Sequence, residues 1–123
     1  MVLNQLILEV EMKFLPKNPV RKFVVGAQNI ILSDCGNLML DADEQITILR
    51  KSGAEYDFAS KEWGFYATPS TNGRLIEFGF RTAVVRNITS GRKYVLVIEK
   101  GFEELFFKYL EAEKMVVELW LDE

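Results

Sequence analysis

Residues 67–80, Ala-Thr-Pro-Ser-Thr-Asn-Gly-Arg-Leu-Ile-Glu-Phe-Gly-Phe, gather groups able to bind an anion. Ser70 is spaced to cap a helix over residues 71–78, and Gly79 to end it in the left-handed conformation. The first amides of a helix lack internal partners, and its dipole favours negative charge. Ser70, Thr71, Asn72 and Gly73 would therefore present donors, with Arg74 one turn on and Arg81 just downstream to neutralise the ligand. Trp63 or Tyr66 would pack against a ring, with Phe65 between them, a combination suited to a phosphorylated or sugar-containing metabolite. The plainer use of the same residues is a helix cap, a proline that fixes the approach of the chain, and ordinary core aromatics.

The remaining chemistry-bearing residues form no recognised constellation. The chain has no histidine, which removes the commonest general acid/base and the commonest transition-metal ligand. Its one cysteine, Cys35, follows Asp34, a neighbour that disfavours the thiolate a nucleophile needs. Asp41-Ala42-Asp43-Glu44 begins like a calcium loop, but Ile46 stands where the turn glycine belongs and Ser52 where the closing glutamate belongs. Lys100-Gly101-Phe102 opens like an RNA-binding element and then continues Glu103-Glu104, the wrong chemistry for it. No metal site and no cofactor are expected, and catalytic residues cannot be named.

The elements that must position the loop follow from hydrophobic periodicity. Residues 6–14 alternate Leu6, Leu8, Val10, Met12 and Phe14 against Glu9, Glu11 and Lys13, the period of a half-buried strand. Pro16 and Lys17-Asn18-Pro19 predict a loop, followed by a second run over residues 22–25. Residues 29–33 and 37–40 read as a hairpin turning at Asp34-Cys35-Gly36-Asn37, and residues 45–50 as a strand. Further strands are expected over residues 80–87 and 92–100, joined by Ile88-Thr89-Ser90-Gly91. Phe102, Leu105, Phe106, Tyr109 and Leu110 recur at helical spacing, predicting a helix over 102–114, and a strand over 115–121 closes the chain, parallel to the 92–100 strand. The expected fold is one α+β domain spanning residues 1–123. Its sheet would be largely antiparallel and curved or barrel-like in the first half, with the two helices on one side of the second half.

Composition sets outer bounds. At 123 residues and 49% hydrophobic content the chain has enough apolar side chains for one core. Its apolar runs are far shorter than the ~20 residues of a membrane-spanning helix, and a lone cysteine fits a reducing compartment, so a cytoplasmic location without membrane contact is expected. The net charge of -3 gives no general attraction to nucleic acid. Charge is uneven, however: residues 74–93 carry five cations against Glu77, and residues 99–123 carry eight acids against three lysines.

The run Trp63 to Ser70, continuing through Asn72-Gly73-Arg74-Leu75, Phe78-Gly79-Phe80, Thr82 to Asn87 and Val97 to Gly101, resembles small uncharacterised bacterial proteins found among surface-polysaccharide biosynthesis genes. The resemblance covers roughly the C-terminal half. It implies a cytoplasmic protein near sugar-nucleotide or glycan-precursor chemistry, and carries over no catalytic residue. Two functions are thus expected: a small ligand-binding or accessory protein for a phosphorylated or sugar-containing metabolite, or a non-enzymatic module that associates with itself or with a biosynthetic enzyme.

Overall fold

The structure, a computed structural model, describes residues 12–123. Among these residues eight strands and two helices follow one another as β1 (Lys13–Val25), β2 (Ile30–Met39), β3 (Gln45–Leu49), β4 (Glu55–Lys61), β5 (Gly64–Ala67), α1 (Arg74–Glu77), β6 (Phe80–Asn87), β7 (Lys93–Glu99), α2 (Glu103–Ala112) and β8 (Met115–Trp120). They form three separate antiparallel sheets, in the orders β1-β2, β3-β4-β5 and β7-β6-β8.

The centre of the molecule is β6, whose alternation sends side chains to two different cores. Ala83 and Val85 point to one face, where Ile98 of β7 and Phe106 and Leu110 of α2 close over them. Of the expected stripe Phe106 and Leu110 are buried, with Glu113 below them at i+7, whereas Phe102, Leu105 and Tyr109 are exposed. Phe80 points to the opposite face and joins Ala54, Tyr56 and Leu75 in a second cluster, which fastens the β3-β4-β5 sheet and α1 to the end of β6. Tyr56 stacks on Phe58 at 4.6 Å and meets Phe80 at 6.2 Å. The same seam carries backbone bonds from the Glu55 amide to the Phe78 carbonyl and from the Lys100 amide to the Gly79 carbonyl.

Three expectations about architecture are overturned. The fold is mostly β, with 54% of the described residues in strands and 12% in helices, and none of the sheets closes or approaches a barrel. Closure requires one continuous ladder with a consistent stagger, whereas each sheet here ends on unpaired edges. An α+β layer is also missing, because only α2 lies along a sheet and α1 is a single turn. Nor do the helices share a side: α1 packs with Phe80 and α2 with Ala83 and Val85, on opposite faces of β6. β8 does run in the direction of β7, since both are antiparallel to β6, which lies between them.

The first half also differs in register. Of the strand expected over residues 6–14, only Met12 to Phe14 lie within the described residues. The ladder does break after Pro16, which pairs with Gly36, and resumes with Arg21 opposite Asp34 after a shift in register, but β1 continues through the gap as one strand instead of ending in a loop. The turn falls at Gly26–Asn29, so residues 34–37 lie inside β2. Gly36 belongs to the irregularity, at φ +152°, where a Cβ would stand 2.5 Å from the Leu15 carbonyl.

Leu75 is completely buried at the seam between the sheets. Leu75→Ala is expected to cost about 2–5 kcal/mol, measured by urea unfolding, through the cavity it leaves. A cost below about 1 kcal/mol would show that the second cluster does not hold the sheets together.

Candidate functional site

The expected anion loop is present as a loop, but most of its groups are committed to the fold. The Ser70 hydroxyl accepts from the Arg74 amide at 3.0 Å and its carbonyl takes the Gly73 and Leu75 amides, but the N-cap position is Gly73, so Ser70 is not the expected cap. The helix these bonds organise is only four residues long, shorter than the expected 71–78. The Thr71 hydroxyl donates to the Leu121 carbonyl at 2.7 Å, tying the loop to the chain after β8. Arg74 lies over the Phe78 ring, 5.4 Å from its centroid. Arg81 donates to Asp122 at 2.8 Å and stacks 3.9 Å above Trp120. That bond holds the Asp122 carboxyl below the usual range against the opposing effect of burial, and raises Arg81. Asn72 and Gly73 stay exposed, and Trp63 and Tyr66 stand out on and beside β5, Trp63 at 71% exposure. The larger clefts of the surface are lined by other residues. Cys35 is exposed in β2 and directs its thiol to the Ser33 carbonyl. Among the described residues no three His, Cys, Asp or Glu side chains come together as a metal site would require, and no helix is long and apolar enough to cross a membrane.

A different feature is built into the structure: among the described residues, the β1-β2 hairpin stands as an arm with its hydrogen bonds to the rest of the chain at its two ends. At the tip, the Glu113 carboxylate accepts from the Ala27 amide at 2.9 Å, the Gln28 amide at 3.0 Å and the Gln28 side chain at 3.2 Å. Gly26 turns the chain there at φ +77°, and a Cβ on it would collide with that carboxylate. At the open end, the Leu40 carbonyl following β2 accepts from the Ser60 hydroxyl at 3.5 Å. Between these anchors the arm is uncovered. Val24 and Ile31, opposite each other in register, are 59% and 65% exposed, and Phe14 and Leu38, also paired, are exposed as well. Lys17 and Arg21 both donate to Asp34, which the Lys17 bond chiefly holds below its usual range.

Beside the arm's tip, α2 is flanked by two open apolar clefts. One of about 560 Å³ runs along Phe107, Leu110, Met115 and Val117, with Glu111 and Lys114 at its rim. The other, about 370 Å³, lies along Phe102, Leu105, Tyr109 and Ile98, with Arg50 paired to Glu99 at its edge.

Sequence reading missed Glu113 and the arm. A signal for Glu113 exists: it falls on the stripe of Phe106 and Leu110, where a carboxylate must find buried donors. Nothing in the pattern of Val24 and Ile31 distinguishes a displayed apolar row from a core-facing one.

The Glu113 clamp is pH-sensitive in a defined direction. The Ala27 amide, helped by Gln28, holds the carboxyl below the ordinary glutamate range while burial pushes it up. A lowered carboxyl stabilises the folded form above the ordinary range and loses that contribution as pH falls through the lowered value. Exchange of the Ala27 and Gln28 amides, corrected for intrinsic rates, should accelerate as pH falls from about 6 to about 3, and in Glu113→Ala it should be fast throughout. Equal protection in Glu113→Ala would mean that the carboxylate does not hold the tip.

Compared with known proteins, the chain matches no family model, no curated protein and no solved structure.

Proposed function

We propose that this chain is a protein-interaction module whose β1-β2 arm is offered to another polypeptide. The observation that carries the reading is the Val24 and Ile31 row, an exposed apolar cross-strand pair on a hairpin that pairs with no further strand among the described residues. A two-stranded hairpin is marginal alone in water, and an open edge beside exposed β-branched residues is a template for pairing. Proteins seldom keep contiguous apolar surface of this kind unless something covers it. Anchoring at both ends by Glu113 and Ser60 keeps the arm in one place without burying it, which lowers the ordering cost of binding.

The metabolite-binding reading has weaker support in the geometry, because Ser70, Thr71 and Arg81 already have internal partners. The link to surface-polysaccharide biosynthesis rests on the residues quoted above and nothing further.

Two measurements test the proposal. Val24→Ser with Ile31→Ser should leave stability within about 0.5 kcal/mol, read at dilutions where the melting midpoint no longer depends on concentration. A loss above about 2 kcal/mol would place these side chains in the chain's own core. In an amide-resolved titration with sugar phosphates, sugar nucleotides and inorganic phosphate, residues 71–74 should stay silent, and saturable shifts there would restore the ligand site.

A further inference from the structure

The arm and α2 carry opposite charges, and α2 has an exposed apolar side chain on each flank, which together point to what covers the arm. The arm holds Lys13, Lys17, Arg21 and Lys22 against Asp34 alone, a net +3. Two of those cations are engaged with Asp34, leaving Lys13 and Lys22 exposed and unengaged within the arm. α2 holds Glu103, Glu104 and Glu111 against Lys108, a net -2. Its outward apolar residues, Leu105 and Phe107, are 61% and 51% exposed and border the two clefts.

We propose, resting on the arm reading above, that the arm's partner is a second copy of this chain, with each arm lying across the acidic face of α2 of the other copy. Charge complementarity supports this pairing, a basic apolar ribbon meeting an acidic apolar helix. Continuity supports a two-fold arrangement: Glu113 seats the arm's tip directly after α2, so arm and helix form one surface that can meet itself in reverse, as an isologous contact requires. The ten residues of α2 are about 15 Å long and a ten-residue strand of the arm about 33 Å, so an arm laid on the helix reaches past it over the flanking clefts. The clefts beside α2 then take side chains from the arm's apolar rows.

The test is sedimentation equilibrium on the full chain and two charge-reversed variants, Lys13→Glu with Lys22→Glu on the arm and Glu104→Lys with Glu111→Lys on the helix. The wild type should form a dimer that weakens with added salt. Each variant alone should dimerise at least about tenfold more weakly. An equimolar mixture of the two should recover dimer, because the acidic arm of one variant meets the basic helix of the other while the native contact remains on the other side. A wild type that stays monomeric at high concentration, a dimer indifferent to salt, a helix variant that dimerises like the wild type, or a mixture no tighter than its components would each overturn the proposal. The arm reading fails separately, if the Val24 and Ile31 replacements destabilise the dilute monomer.

Discussion

One carboxylate decides how the first quarter of the described chain sits. Glu113 ends the buried stripe of α2 and turns its charge toward the Gly26–Asn29 turn, accepting from two backbone amides and a side-chain amide. A buried carboxylate without donors would be costly, and the turn supplies them. In return, the arm gains an anchor without an apolar contact to the core, and its rows of valine, isoleucine and leucine remain outside.

The rest of the molecule is arranged around β6, which buries one face under α2 and gives the end of the other to Tyr56, Leu75 and Phe80. That sharing explains how three short sheets make one body without any closing into a barrel. Polar links reinforce it at the periphery. Arg81 joins β6 to the C-terminal residues through Asp122, Thr71 joins the α1 approach to Leu121, and Glu118 takes both Arg86 and Lys93 across the three-stranded sheet. The Lys93 bond chiefly holds the Glu118 carboxyl below its usual range. These bonds make the Ser70 to Arg81 region a structural joint, which is why a stretch rich in donors has few left for a ligand.

What could be read from the sequence was local. The strand pair of residues 80–87 and 92–100 stands at Phe80–Asn87 and Lys93–Glu99, because β-branched runs around Ser90-Gly91 leave one economical pairing. The helix over 102–114 is trimmed to Glu103–Ala112, and of its expected stripe Phe106 and Leu110 are buried while Phe102, Leu105 and Tyr109 are exposed. The hairpin turn expected at Asp34 to Asn37 lies instead at Gly26 to Asn29, where the Glu113 carboxylate receives it. The helix was overestimated because the chain enters it only at Gly73, three residues after the expected cap Ser70. Closure into a barrel depended on pairings between hairpins, which no local pattern encodes. The exposure of Val24 and Ile31 was equally illegible, since alternation shows that two faces differ and not which of them meets water.

The account stands on the arm being a surface for another chain. The most direct measurement is amide hydrogen exchange at Lys22 to Val25 and Ile30 to Ser33 across a wide range of protein concentrations. Protection that rises with concentration, while the amides of β6 stay constant, is the predicted result. Protection equally strong at the lowest concentration would mean that the arm is stabilised within its own chain, contradicting the account.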